Sequence, residues 1–370
     1  MKKLLLYVVL SFMLFTCYTV KMQFTAYIEN CFQWRVEPDG NVTIIGYTGT
    51  SGIIEIPRDI NGMTVTKIGD YAFADVFEDN GILSSVIIPD TVTTIGKNAF
   101  TYNIISNVYI PNSVTTIGEN AFAYNRLTSV IIPESVTTIK DYAFAKNNLT
   151  VVNIHRNIKT IGKGVFVRNS NLTEINVDFD NENYISIDGA LYNKNGTNLI
   201  QWPGGKTENI IIPDNVTTIG VSAFLDMNLT SIIIPNSVNY IEENAFSINQ
   251  LTSINIPNSV RIIANGAFSR NLLNNITIPD NVTIIGNFAF FANENITNII
   301  IGNGVTKIGE RTFTSRNIIS IIIGANVTLQ DGWWDIWEFD HRFDEAYFNS
   351  GRQAGTYTRT GADSTIWIRR

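Results

Sequence analysis

The sequence contains few of the residues that bind transition metals or form disulfides. Its 370 residues include two cysteines and two histidines. A disulfide-stapled scaffold needs many more cysteines, and zinc sites or Cys/His catalytic pairs need several such side chains close together. We therefore expect no metal ion, no cofactor and no enzymatic activity.

Charged residues are also scarce. They make up 16% of the chain, against an average of about 25%. The 33 acidic residues outnumber the 26 Lys and Arg residues, which gives a net charge of −7. A nucleic-acid-binding surface needs clustered Lys and Arg, so no nucleic-acid partner is expected. The hydrophobic fraction of 45% excludes a disordered chain.

The N-terminus carries a short apolar segment after two lysines. Residues 4–15 are almost entirely apolar, which suits a signal-peptide core and is too short to span a bilayer. We predict an export signal at residues 1–16. Residues 14–17 then resemble a bacterial lipobox, although Phe15 and Thr16 depart from it. Two outcomes stay open: a lipid on Cys17 that anchors the chain to a membrane, or plain secretion. Both place the protein at the cell surface, associated with an outer membrane, or secreted.

A short pattern recurs along most of the chain. It begins with Ile-Pro and ends with Ala-Phe, as in residues 88–100. A unit this short cannot bury its own apolar face, so each copy must pack against the next. The pattern predicts a solenoid of about 11–12 coils of about 22–23 residues, with short parallel strands, turns and short helical turns. The phenylalanines that end successive copies are 22 residues apart in two runs, and one more follows after 23. They are Phe100, Phe122, Phe144 and Phe166; Phe224, Phe246, Phe268 and Phe290; and Phe313.

Each copy has two sets of inward-facing positions. In residues 127–133, the apolar class alternates as in a β-strand. Pro133 ends that strand because proline has no N–H to donate. A second inward set follows on the opposite wall: Val136, Ile139, Ala143 and Phe144.

An asparagine recurs three residues after the phenylalanine. We expect its amide to satisfy backbone groups of the turns, and the amides to stack on one another. The set is Asn103, Asn125, Asn147, Asn169, Asn249, Asn271 and Asn293.

The repeated pattern L-T-S-V-x-I-P-x-S-V-T-x-I-G-x-x-A-F-x-x-N resembles the leucine-rich repeat of BspA-like surface antigens, which occur in spirochaetes, oral bacteroidetes and some protozoa. Residues 32–69 resemble the family's spirochaetal N-terminal opening, and residues 346–357 resemble its C-terminal ending. The resemblance covers residues 32–370. It implies a leucine-rich-repeat solenoid outside the cell that binds host matrix proteins or other cells. It implies no catalytic residues.

The repeat is interrupted between Phe166 and Phe224, where about 14 residues are extra. The pair Asn195-Gly196 between strand-like runs predicts a hairpin. The insert, at about residues 176–209, is either an enlarged coil or a protrusion that contacts a ligand. The acidic residues 178–183 fail the EF-hand template, because position 183 is not glycine and position 189 is not glutamate. No calcium site is expected there.

The last residues are rich in aromatic side chains. Phe339, Phe343 and Tyr347 form one stripe of a short helix, which Gly351 is placed to end. A β-hairpin around residues 361–363 follows. Because the last coil of a solenoid needs a cover, we predict a C-terminal cap at 330–370, an N-terminal cap at 17–50 and repeats at 51–329. An aromatic carbohydrate platform is the alternative for Trp333, Trp334, Trp337, Phe339, Phe343, Tyr347, Phe348, Tyr357 and Trp367.

The outward positions of the predicted strands form a weakly charged face. Exposed apolar stripes often mark interaction sites. Two alternatives stay open: isoleucine there reflects strand propensity alone, or another element or molecule covers the face. We predict an adhesin whose partners are protein ligands of the host matrix or of cells. The alternative is a self-assembling envelope protein with exposed repeat edges. The candidate ligand face comprises Tyr109, Ile131, Asn153, Ile233, Asn255, Thr277 and Ile300.

Overall fold

The computed structural model describes residues 31–74, 83–330, 343–361, 364 and 366–370. The predicted signal peptide, Cys17 and part of the aromatic C-terminal set (Trp333, Trp334, Trp337 and Phe339) lie outside these residues. The chain divides into two compact units, residues 1–143 and 144–370. Each unit is a length of leucine-rich-repeat solenoid, and their described residues together form about 13 turns. No helix in the described part of the chain has the length and apolar composition needed to cross a membrane.

Unit 1 opens with an antiparallel pair and continues as a parallel ladder. Its strands are β1 Phe32–Val36, β2 Val42–Tyr47, β3 Ile53–Glu55, β4 Asp59–Ile60, β5 Met63–Ile68, β6 Ser85–Ile87, β7 Thr94–Ile95, β8 Thr116–Ile117 and β9 Thr138–Ile139. β1 pairs with β2, and β2, β5, β7, β8 and β9 then follow side by side in parallel. β3 pairs with β6 in a second, parallel sheet, and β4 pairs with β5.

Unit 2 has the same design on a larger scale, and it contains the one helix among the described residues, α1 at Phe343–Asn349. Its strands are β10 Val151–Ile154, β11 Thr160–Ile161, β12 Glu174–Val177, β13 Tyr184–Ile187, β14 Ala190–Asn193, β15 Asn198–Gln201, β16 Thr218–Ile219, β17 Tyr240–Ile241, β18 Ile262–Ile263, β19 Asn275–Ile278, β20 Ile284–Ile285, β21 Asn298–Ile301, β22 Lys307–Ile308, β23 Ser320–Ile323, β24 Thr328–Leu329, β25 Gly355–Thr358 and β26 Ile368–Arg369.

Three sheets organise unit 2. The longest begins with the antiparallel strands β13, β14 and β15 and continues in parallel through β16, β17, β18, β20, β22 and β24. The second joins β19, β21 and β23 in parallel and ends with the antiparallel strands β25 and β26. The third is the parallel pair of β10 and β12.

The recurring phenylalanines form a stacked column in the core of each unit, as the 22-residue period predicts. In unit 2, the rings of Phe224, Phe246 and Phe268 lie 5.2 Å apart and nearly parallel. Trp202 occupies the same column in the interrupted coil, 5.7 Å from Phe224. The period of 22 therefore resumes at Trp202, and all the extra residues fall before it.

The recurring asparagines are buried and bind the backbone, as predicted. Asn271 Nδ2 donates to the carbonyls of Phe246, Phe268 and Ser269 at 2.9, 3.1 and 3.3 Å. Its Oδ1 accepts the Leu251 N–H at 3.1 Å. The side-chain amide of this asparagine thus forms hydrogen bonds with the backbone of two successive coils.

The short helical turns expected in the repeats are hydrogen-bonded turns with residues in the left-handed region. Two such positions recur, for example Asn98 and Tyr102 with φ of 53° and 57°. The glycines that follow the inward isoleucines instead allow the backbones of neighbouring coils to come close together. A Cβ on Gly118 would lie 2.4 Å from the carbonyl carbon of Gly96, so a larger residue at position 118 would force the backbone of these two coils to shift.

Ile248 occupies one of the left-handed positions, with φ of 57°. Left-handed backbone costs an L-residue about 1–2 kcal/mol, and asparagine tolerates it best after glycine. We expect Ile248→Asn to raise the free energy of unfolding by about 1 kcal/mol. Denaturant unfolding of the purified variant measures this. Ile233→Asn, at a residue without positive φ, should give no increase. A lower unfolding midpoint for Ile248→Asn would count against strain at this turn.

The insert is an enlarged coil whose side chains enter the core. Ala190, Tyr192 and Trp202 are fully buried in the unit 2 cluster. The turn between β14 and β15 spans residues 194–197 and is longer than the two-residue turn expected from Asn195-Gly196. The Asn193 side chain explains this, because its Oδ1 accepts the N–H groups of Thr197 and Asn198, both at 2.9 Å.

The C-terminal cap contains the predicted helix and antiparallel strand pair. Phe343 of α1 packs edge-on against Tyr357 and Trp367 at 5.4 and 5.3 Å. Tyr347 donates to the Gly324 carbonyl at 2.7 Å and accepts the Val327 N–H at 3.0 Å. These four rings are buried, so they cover the last coil and are not available as a carbohydrate platform.

Candidate functional site

The predicted ligand face lies on the wall opposite the long parallel ladder. In unit 1, Tyr109 and Ile131 are 68% and 82% exposed, and Ile87 in the same column is 54% exposed. The outward direction of these side chains follows from alternation, because Val108, Ile110 and Ile132 beside them are buried.

Unit 2 presents the other five predicted residues. Asn153, Ile233, Asn255, Thr277 and Ile300 are all exposed, and Ile233 reaches 83%. The same column contains two more exposed isoleucines, Ile211 and Ile322. Asn153 Oδ1 accepts a hydrogen bond from Asn176 Nδ2 of the next coil at 3.3 Å.

The prediction that every copy of this segment is a β-strand is wrong. Asn153, Thr277 and Ile300 lie on β10, β19 and β21, while Ile131, Ile233 and Asn255 lie outside the paired strands, and Tyr109 makes a single bridge to Ile87. The continuous ladder instead runs along the second inward set, through Ile95, Ile117 and Ile139 in unit 1 and its counterparts in unit 2.

Proline removes one of the bonds that would pair these segments, although β6 still pairs with β3 ahead of Pro89. The residues after β12 and β21, Asp178 and Gly302, donate to the preceding coil's carbonyls at Ile154 and Ile278, at 2.8 and 2.9 Å. Pro111, Pro133, Pro213, Pro235 and Pro257 occupy the equivalent position in the unpaired copies. Proline has no N–H, so these copies cannot complete the ladder bond.

The face of unit 2 is almost free of charge. The two outward columns run from Val151 and Asn153 to Ser320 and Ile322, and all these positions belong to the described residues. Glu174 on β12 is the one charged side chain among them. Glu174 is not among the residues predicted from the sequence, although an acidic residue in a column of small polar residues is a visible signal.

A cleft of about 390 Å³ opens at Glu174. It is lined by Thr173, Glu174, Asn176, Asp188, Gly189, Gly205 and Lys206. The turn between β13 and β14 forms one side, where Asp188 and Gly189 have φ of 50° and 74°. The enlarged coil therefore places a wall beside β12, which interrupts the flat face.

The acidic loop after β12 is held by a cation from the protein itself. Arg156 pairs with Asp180 at 2.9 Å and with Asp178 at 3.2 Å. The Asp180 N–H, followed by the Arg156 guanidinium, lowers the pKa of Asp178. Among the described residues no cluster of His, Cys, Asp and Glu is placed to hold a metal ion.

Comparison with solved structures identifies similar solenoids. The pneumococcal vaccine antigen PcpA is 23% identical, with a TM-score of 0.62 over 76% of this chain and 83% of that chain; at this identity the likeness concerns the fold. A leucine rich cell surface protein from Faecalibacterium prausnitzii A2-165 is 28% identical, with a TM-score of 0.52 over 75% of this chain and 89% of that chain. No curated protein matches the chain significantly.

A family model of the BspA type leucine rich repeat region matches residues 66–195 and 203–319, in six copies. Proteins of this type are usually surface-exposed or secreted, and their solenoids are typically binding scaffolds without enzymatic activity. The match covers well over half of the chain, and the chain therefore belongs to the family of BspA-type leucine-rich-repeat proteins.

Proposed function

We propose that the protein is a surface-displayed adhesin that binds protein ligands of the host matrix or of other cells through the outward faces of its two units, which are poor in charge. Export would use residues 1–16, with Cys17 as the point of lipid attachment. The observation that carries the proposal is the exposure of Ile131 and Ile233, at 82% and 83%, on segments outside the paired strands.

This placement weakens the explanation by strand propensity. Isoleucine is favoured in strands because it packs against cross-strand neighbours on a pleated surface. Ile131 and Ile233 lie outside the ladder and bury little of their area, so that benefit is small. Depletion of charge on an exposed surface is instead typical of the centre of protein interfaces.

Lysine substitution on each face tests the proposal. Ile131→Lys and Ile233→Lys should each weaken binding to an immobilised matrix protein at least tenfold, about 1.4 kcal/mol, because a lysine ammonium would have to be desolvated in the interface. The probes are fibronectin, laminin and collagen, and surface plasmon resonance gives the dissociation constant.

The matched control is Ile284→Lys, the same change on the ladder wall of unit 2, which should leave binding unchanged. Circular dichroism establishes that all three variants are folded. Equal affinity of the folded Ile131→Lys and Ile233→Lys variants and the parent protein would reject these faces as the site.

Self-assembly is the second candidate, because the outward faces are poor in charge and apolar stripes favour association. Sedimentation of the purified protein at increasing concentration separates the two functions. A monomer that binds matrix protein supports adhesion. Oligomers that form without matrix binding support an envelope role, and Ile233→Lys should then dissociate them.

A further inference from the structure

The cleft beside β12 contains an uncompensated carboxylate. Lys206 Nζ binds Asp188 twice, at 2.6 Å to the Oδ1 carboxylate oxygen and at 2.8 Å to the backbone carbonyl. The charges of Lys206 and Asp188 therefore cancel each other in the wall of the cleft. Glu174 makes no ion pair or hydrogen bond through its side chain among the described residues, so the cleft carries a net negative charge.

The walls of the cleft are held in place by the enlarged coil. The Ile175 N–H of β12 donates to the Gly189 carbonyl at 2.8 Å, and the Gly205 N–H donates to the Leu172 carbonyl at 2.7 Å. The buried Trp202 ring donates through Nε1 to the Lys206 carbonyl at 2.7 Å. A site with such supports is preorganised, which reduces the entropy lost on binding.

The chemistry of the lining favours a basic side chain over a sugar. Sugar sites commonly use an aromatic ring as a platform, and the seven lining residues include no aromatic side chain. They offer one free carboxylate, the Asn176 amide and the Thr173 hydroxyl. A guanidinium matches these acceptors with several donors in a fixed plane.

We propose that the cleft receives an arginine or lysine side chain of the protein ligand and that this side chain pairs with Glu174. The flanking face of unit 2 covers the apolar surface of the ligand around that side chain. This proposal rests on the proposed function, because it names a chemical property of the same ligand. It makes Glu174 the residue that fixes the position of the ligand on an otherwise uncharged face.

A small-molecule probe tests the cleft without a matrix protein. N-acetyl-arginine amide should bind the purified protein saturably, with a dissociation constant on the order of 1 mM, measured by saturation-transfer NMR at low salt. N-acetyl-citrulline amide has nearly the same shape with an uncharged head, and it should bind at least tenfold more weakly. Glu174→Gln should weaken arginine binding at least fivefold.

The control variant is Glu243→Gln, which removes an exposed carboxylate elsewhere in unit 2 and should leave binding unchanged. Equal binding of the arginine and citrulline probes, or an unchanged constant in Glu174→Gln, would overturn the proposal. Binding tighter than about 1 μM would also overturn it, because it would indicate that the cleft binds a free small guanidinium compound and not a side chain of a protein. Since the probe is independent of matrix proteins, failure here leaves the adhesion experiment to decide the proposed function by itself.

Discussion

Replacement of Phe246 by alanine is expected to lower the free energy of unfolding of unit 2 by about 3–5 kcal/mol, because the change leaves a cavity in a close-packed core. The ring is fully buried and stacks on both neighbours at 5.2 Å. Neighbouring coils in a solenoid stabilise each other, so both contacts of this coil weaken at once. Urea unfolding followed by circular dichroism measures the loss.

Phe179 provides the matched control for this change. It is 91% exposed, and Phe179→Ala should change the free energy of unfolding by less than about 0.5 kcal/mol. Phe246→Leu, which retains most of the buried volume, should fall between the two. A loss below about 1 kcal/mol for Phe246→Ala would show that the aromatic column contributes little to the stability of the coils.

Substitution of Asn271 by alanine should lower the free energy of unfolding by about 1–3 kcal/mol, because it leaves the buried Leu251 N–H without a hydrogen-bond partner. The Phe246 and Phe268 carbonyls each lose one of two amide donors and keep the other, from Asn249 at 3.0 Å and from Asn293 at 2.9 Å. The exposed Asn236→Ala serves as the control, with little expected change, and the same urea titration compares the two.

An aspartate at this position separates the donor from the acceptor. In Asn271→Asp, the carboxylate can still accept the Leu251 N–H, but its second oxygen faces the Phe246 and Phe268 carbonyls. Burial raises the folded-state pKa of such a carboxyl above its unfolded value. The destabilisation relative to the parent protein should therefore shrink as the pH falls from 7 to 4. Equal destabilisation at both pH values would contradict this account of the asparagine.

The period, the core and the asparagine contacts could be predicted from the sequence because they repeat. Phe246 and Asn271 recur at fixed spacing, and the requirement to bury or satisfy them is the same in every coil. The wall that forms the continuous ladder was harder to identify. The alternation in residues 127–133 is real, yet the effect of Pro133 reaches across to the neighbouring coil, whose carbonyl loses a donor.

The features that occur once were predicted least well. Trp202 takes the place of a phenylalanine 22 residues before Phe224 but 36 residues after Phe166, so its connection to the earlier part of the column depends on how the insert folds. The cleft at Glu174 likewise depends on the turn at Asp188 and on Lys206, which lie 14 and 32 residues further along the chain. Spacing within one repeat contains no information about such contacts.

The asparagine contacts also give the chain a direction. Asn271 completes the hydrogen bonds of the coil that precedes it, and Asn293 does the same for the coil of Asn271. As a nascent chain emerges from its N-terminus, each new turn therefore remains unfinished until its successor arrives. When such a protein gains a coil by gene duplication, the new coil should contain its own asparagine. Without that asparagine, backbone groups of the preceding coil would lack their hydrogen-bond partners.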